Sequence, residues 1–231
     1  PTPAAALPKV FVALDMDETK VAPLIGALDG LDLGLKVGME LYYQSGPALV
    51  RDLARRFPVF LDLKLHDIPN TVQSAATRLA DLGVRLTTVH AAGGASMLEP
   101  LAALERDDFR FLAVTVLTSM NDGDLRGLGV QDQSPADRVN RLFNLARSSG
   151  IGGFVCSPLE VKALHQQMPE GTFVTPGVRP LGSAADDQRR VATPAEALAA
   201  GATSLVIGRP ITRAPDPRTA AEAILAGLDH G

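Results

Sequence analysis

The chain has 231 residues, 46% of them hydrophobic and 21% charged, enough apolar material to bury a full core as one large domain spanning 1–231. A net charge of -4, with 22 basic residues scattered along the chain and no basic run longer than two, excludes the electrostatic footprint expected of a nucleic-acid or membrane-surface binder. No apolar stretch approaches the roughly 20 residues needed to span a bilayer, the start "PTPAAALPK" lacks the features of a secretory leader, and Cys156 is the single cysteine, so a cytoplasmic chain with no disulfide and no cysteine-rich metal site is expected.

After a start (1–8) expected to be loosely ordered, short runs rich in Val, Ile, Leu and Phe recur. They are "KVFVALD" (9–15), "LGLKVG" (33–38), "VFLDLKL" (59–65), "RLTTVHA" (85–91), "RFLAVTVL" (110–117), "GGFVCS" (152–157), "TFVTPG" (172–177) and "TSLVIG" (203–208). Each precedes a segment with helical spacing. The clearest apolar faces are Leu49, Leu53 and Phe57; Ile68, Val72, Ala75, Leu79 and Leu82; Val139, Leu142, Phe143 and Ala146; and Ala221, Ile224, Leu225 and Leu228. Glycine closes two helices, in "ADLGV" and "ALAAGAT", as a left-handed C-cap requires. The polar stretch 119–135 is the longest insertion, with room for a short helix.

Strand and helix alternate eight times without a composition break, which favours an α/β fold closed as a (β/α)8 TIM barrel over an open doubly wound sheet. In such barrels chemistry collects at the C-terminal ends of the strands. Residues two apart on a strand share a face. Leu61, Leu63 and Leu65 would therefore face the helices and leave Phe60, Asp62 and Lys64 inside; Lys36, between Gly34 and Gly38, and Asp15 would also point inward. Two of only five lysines thus meet carboxylates at the barrel mouth. They form either a catalytic set or an ion-pair network that closes the barrel top. Asp67 joins that set or simply caps the helix that starts with Pro69.

The last two strands end in "TPGVRP" and "VIGRPI", each presenting glycine and one arginine, Arg179 and Arg209, at the loops where these barrels bind phosphate. A phosphorylated small molecule is the implied ligand. His66 and His90 have no metal-ligand spacing and read as packed supports, His165 reads as a helix-surface residue, and His230 lies in the tail; Cys156 reads as a small buried residue.

"LDLKLHDIPNTV", with "VALD", "LKVG", "VTVLTSM", "TPGVR", "DDQ" and "VIGRPIT", in order from about residue 9 to 217, closely resembles the orotidine 5′-monophosphate decarboxylase family. The resemblance implies decarboxylation of orotidine 5′-monophosphate to UMP, the last step of UMP synthesis, without metal or other cofactor. It implies a catalytic tetrad of Lys36, Asp62, Lys64 and Asp67, with Lys64 protonating C6 of the pyrimidine. It implies a homodimer in which Asp67, Thr71 and Ile68 reach the partner's site. Asp15 and Lys36 would bind ribose, Thr118 the pyrimidine, and Arg209, Gly208, Arg179 and Gln188 the phosphate end, under a lid at 180–188. Two rivals stay open: a Mg2+-dependent sugar-phosphate decarboxylase or aldolase sharing Asp-x-Lys-x-x-Asp, against which Lys36 stands where a metal-binding carboxylate is expected, and a nucleotide-binding barrel without catalysis.

Overall fold

In the computed structural model, which describes residues 6–131, 134–179 and 192–228, each of the eight apolar runs supplies one parallel strand. The strands are β1 (Val10–Ala13), β2 (Gly34–Gly38), β3 (Val59–Leu65), β4 (Leu86–His90), β5 (Arg110–Val114), β6 (Gly153–Val155), β7 (Thr172–Pro176) and β8 (Ser204–Ile207). Neighbours in sequence are neighbours in the sheet, and β1 also pairs with β8, so the sheet closes into a barrel with no free edge. The connecting helices are α1 (Val21–Leu28), α2 (Met39–Ala54), α3 (Pro69–Ala80), α4 (Ala95–Ala102), α5 (Asp122–Gly127), α6 (Pro135–Ser148), α7 (Val161–Gln167), α8 (Pro194–Ala199), α9 (Arg209–Thr212) and α10 (Pro217–Leu228). This is a (β/α)8 TIM barrel.

Side-chain alternation sorts the core into two layers. Val10, Val12, Leu14, Leu35, Val37 and Leu61 point outward into a continuous apolar shell shared with the helices. Phe11, Ala13, Phe60, Leu86, Leu112, Val174 and Val206 fill the barrel interior as a separate cluster. Each fully buried Val, Leu or Phe among these side chains stabilises the fold by about 1.5–3 kcal/mol.

Helix chemistry follows the local sequence. The Ser134 hydroxyl caps α6 by accepting from the Asp137 amide, Pro135 occupies the first turn, and the buried face is Val139, Leu142, Phe143 and Ala146. Thr193 and Glu196 form a reciprocal capping box at α8. The short helix expected within 119–135 is α5, also opened by a capping box, from Asn121 to Asp124. Gly83 and Gly201 adopt the left-handed backbone their positions after α3 and α8 require, at φ 81° and 108°.

Three details depart from the periodicity. Ile68 precedes α3 and is 68% exposed instead of lying on its packed face, where Val72, Ala76 and Leu79 are buried. Helix α2 begins at Met39, well before the Leu49 stripe, and bends at Gly46, whose φ of 71° interrupts it before Pro47. His165, expected on a helix surface, is half-buried: its ring packs edge-on against Phe173, and its Nδ1 is buried without a hydrogen-bond partner among the described residues. Of the start expected to be loosely ordered, residues 1–5 lie outside the described residues, while Leu7 packs under the inner cluster and the Pro8 carbonyl accepts from the Ser204 hydroxyl at 2.7 Å. His230 is likewise outside the described residues.

Adjacent glycines before and in β6 test the packing. A Cβ on Gly153 would collide with the Phe111 carbonyl oxygen of β5, a backbone atom that cannot swing away, whereas one on Gly152 would lie 3.8 Å from the Met168 methyl. Gly153→Ala should lose about 1–3 kcal/mol. Gly152→Ala should stay within about 0.5 kcal/mol of wild type or gain stability. Urea unfolding of the two variants measures the contrast.

Candidate active site

Four charged side chains meet at the C-terminal ends of the first three strands. Lys36 on β2 projects inward; its Nζ lies 3.3 Å from Asp15 Oδ1, just past β1, and 3.3 Å from Asp62 Oδ2 on β3. Lys64 Nζ donates to both Asp62 oxygens, at 2.8 and 2.9 Å. Charge therefore alternates along the array Asp15, Lys36, Asp62, Lys64. Gly38, next inward on β2, leaves room for it: a Cβ there would sit 3.0 Å from Asp15 Oδ1 and 3.4 Å from Lys36 Nζ.

Asp62 is the innermost member, only 7% exposed. Burial pushes its carboxyl upward, but the Lys36 and Lys64 ammoniums, with hydrogen bonds from Lys64 and Thr88, outweigh burial and hold it below the usual carboxylate range. The two charges of the third strand do not share a mouth by plain alternation alone. Leu61 pairs with Thr87 and Leu65 with Val89, so β3 spends four steps where β4 spends two, and the ladder is broken between them. Inside that irregularity Lys64 has φ 51°, the one described non-glycine residue with positive φ, a conformation costing about 1–2 kcal/mol. Its backbone N–H donates to the Thr88 hydroxyl at 2.8 Å. Thr88 in turn donates to Asp62 Oδ1 at 2.9 Å.

Thr88 is the polar group the sequence reading passed over. Its signal was available: on β4 it shares the inner face with Leu86 and His90, and a buried hydroxyl on that face needs a partner. The His66 and His90 rings lie against each other with centroids 5.4 Å apart and planes inclined by 39°. Burial first, then electrostatic repulsion from the His66 and Lys64 side, presses the His90 imidazole below its ordinary value, which suits a packed support.

The array borders a cavity of about 570 Å³, of nucleotide-ligand size. Phe60, Val114, Val155 and Val206 give it an apolar floor, Thr118 lies at its side, and Cys156 reaches its wall. Burial pushes the Cys156 thiol up to about 12, so it stays a neutral thiol. Opposite the lysines, Gly177, Arg179, Gly208, Arg209 and Arg213 line the cavity from the loops after β7 and β8. The structure thus brings together Asp15, Lys36, Asp62, Lys64, Thr118, Arg179, Gly208 and Arg209. It does not bring Asp67, Ile68 or Thr71 to this cavity: all three are exposed, and Asp67 accepts from the Ile68 amide at 2.7 Å rather than capping α3. Gln188 and the expected lid at 180–188 lie outside the described residues.

Asp62→Asn removes the counter-charge between two lysines that are 14% and 28% exposed, and should cost about 1–3 kcal/mol once partial solvation is allowed for. Because the folded carboxyl lies below the ordinary 3.8, its contribution is complete above that value and is lost as pH falls through the lower folded value. Urea unfolding across pH should give a gap between wild type and variant that is flat from about pH 7 to about pH 5 and narrows below 3.8.

Comparison with known proteins points the same way. An orotidine 5′-phosphate decarboxylase of Anaeromyxobacter sp. (strain K) is 51% identical over 220 residues, covering 94% of this chain and 93% of that one. One of Erythrobacter litoralis (strain HTCC2594) is 47% identical over 221 residues, covering 95% and 98%. A crystal structure of orotidine 5′-phosphate decarboxylase from Lactobacillus acidophilus superposes with a TM-score of 0.85 at 40% identity, over 96% of this chain and 99% of that one. The matching family model runs over residues 8–224, through every strand that carries the charge array and the arginine loops. The chain belongs to the orotidine 5′-phosphate decarboxylase / HUMPS family.

Proposed function

We propose that this protein is a carboxy-lyase that converts orotidine 5′-monophosphate to UMP and CO2 in pyrimidine biosynthesis, working in the cytoplasm as a homodimer. The observation that carries the reading is the alternating array of Asp15, Lys36, Asp62 and Lys64 facing two arginine loops across one cavity. Arg209, the Gly208 amide and Arg179 hold the 5′-phosphate with Gln188; Asp15 and Lys36 take the ribose hydroxyls; Thr118 contacts the pyrimidine. The bond from C6 to the carboxylate breaks, CO2 leaves, and the electron pair stays on C6. Lys64 stabilises that charge with a fixed ammonium and then gives its proton to C6. The two hydrogen bonds from Lys64 to Asp62 support a positioning role for Asp62. Among the described residues no helix is long and apolar enough to cross a membrane.

The Mg2+-dependent rival finds less support. The cation that stands between the Asp15 and Asp62 carboxylates, 3.3 Å from each, is the chain's own Lys36. The purified dimer should consume orotidine 5′-monophosphate, followed by absorbance, equally with and without a chelator; activity that vanishes with the chelator and returns with Mg2+ would favour the rival. Lys64→Ala should lower kcat about 10³-fold or more while UMP binding, read by calorimetry, is largely kept. A non-catalytic barrel predicts no turnover in either protein.

Asp67 and Thr71 belong, on this reading, to the partner's site. Exposure of Asp67, Ile68 and Thr71 at the rim supports it. Lys64→Ala and Asp67→Ala should each be inactive alone. Unfolded and refolded together, they should recover about a quarter of wild-type activity, since half the dimers are mixed and each mixed dimer carries one intact site. No recovery from a folded mixture would refute the shared site.

A further inference from the structure

Thr87 and Thr88 on β4 are both fully buried, yet their hydroxyls serve different parts of β3. Thr87 donates to the Leu61 carbonyl at 2.9 Å, at a position where the ladder is regular. Thr88 lies opposite the break, where three residues of β3, Asp62 to Lys64, face the single residue Thr88 of β4 and the Lys64 amide donates to its hydroxyl instead of to a β4 carbonyl. A hydroxyl offers one donor and two acceptor sites, and Thr88 uses both functions: it accepts from the Lys64 N–H at 2.8 Å and donates to Asp62 Oδ1 at 2.9 Å. The same Asp62 Oδ1 receives the Lys64 ammonium at 2.8 Å. The hydroxyl therefore closes a ring from Lys64 backbone to Asp62 carboxylate to Lys64 ammonium.

We propose that Thr88 is a positioning residue for the decarboxylation: its hydroxyl holds the left-handed Lys64 backbone and the Asp62 carboxylate as one unit, so that both are aimed at the same point of the cavity. This rests on the decarboxylase reading above. Thr88 need not touch substrate; among the described residues it is absent from the cavity lining. Without the hydroxyl, the Lys64 amide loses its acceptor, the bulge is free to relax toward ordinary β geometry, and the ammonium moves relative to C6. Misplacement of about 1 Å at a reacting centre costs on the order of 10²-fold in rate.

The hydroxyl also donates to the charged form of Asp62, so its loss should raise that carboxyl. The titratable and charged groups facing Asp62 are Lys36 from β2, Lys64 from β3 itself and His90 from β4, with Asp15 beyond Lys36, and a change at Thr88 removes none of them. A movement of the acid limb of the rate profile then reports the lost hydrogen bond together with the Lys64 displacement that follows from it.

The test is a series at this position, read by kcat, KM, UMP affinity and the pH dependence of kcat/KM. Thr88→Val keeps the shape and removes the hydroxyl; it should lower kcat about 10²-fold, leave KM and UMP affinity within about threefold, and move the acid limb to higher pH. Thr88→Ser keeps the hydroxyl and should return kcat to within about threefold of wild type, with the acid limb unmoved. A folded Thr88→Val with wild-type kcat overturns the assignment, as does a Thr88→Ser as slow as Thr88→Val, or a kcat loss matched by an equal loss of UMP affinity. If Thr88→Val does not fold, Thr88→Ser decides: retained kcat supports the role and a 10²-fold loss refutes it. Wild-type protein that does not turn over orotidine 5′-monophosphate would instead overturn the functional reading underneath; active wild type with an equally active Thr88→Val overturns Thr88 alone.

Discussion

A single carboxylate, Asp62, sets the terms for the rest of the barrel mouth. Removing a charge from water costs several kcal/mol unless partners replace the lost hydration. Asp62 has two ammoniums and a hydroxyl around it, and each comes from a different strand or a different turn of the same strand. That demand fixes the register of three neighbours. Lys36 must point inward from β2, Thr88 must face inward from β4, and β3 must depart from its ladder so that Lys64 can turn back on Asp62. The left-handed Lys64 backbone is the local expense of meeting all three conditions at once.

Below the charges the barrel returns to ordinary packing. Phe60 sits two residues before Asp62 on the same face and meets the Phe11 ring edge-on at 5.9 Å. With Leu86, Leu112, Val174 and Val206 it plugs the interior, so the cavity ends on an apolar floor. A floor of that kind excludes water and strengthens every interaction among the charges above it. It also leaves stability to the lower layers and the outer shell. The upper layer is then free to hold charges whose value, as with other buried ion pairs, lies in geometry more than in folding energy.

How much of this could be read from the sequence differs by feature. Strand positions and the closed barrel followed from short near-continuous apolar runs, which burial on both faces of a parallel sheet produces, and the inward set of Lys36, Asp62 and Lys64 from the period of two in "LGLKVG" and "VFLDLKL", where the outer face stays apolar and the inner face turns polar. The face of α6 was legible for the same reason at a period of 3.6. The break in β3 was not: Leu61, Leu63 and Leu65 keep a regular alternation through it, so a backbone that leaves the ladder is masked by a pattern that does not. Thr88 was hidden because a threonine is common in any strand and only its opposite number, an amide turned away from the sheet, reveals the need for it. Ile68 and His165 erred in opposite directions, since a helix period counts apolar residues without knowing where the first turn begins or which neighbour covers the last.

The break also accounts for the uneven spacing of Asp62, Lys64 and Asp67. An uninterrupted strand would set Asp62 and Lys64 on one face with their Cα atoms about 6.5–7 Å apart and their side chains pointing the same way. The left-handed turn at Lys64 instead folds its side chain onto Asp62 and swings the chain outward, so that His66, Asp67 and Ile68 emerge at the rim before Pro69 opens α3. One conformational device therefore has two effects: it pairs the second charge with the first inside the barrel, and it delivers the third to the outside. On the proposed function that outward delivery is what allows one chain's Asp67 to serve a neighbouring barrel. The same backbone turn would then couple the geometry within a site to the assembly of two, and the hydroxyl of Thr88, which holds the turn, would stand at the junction of both.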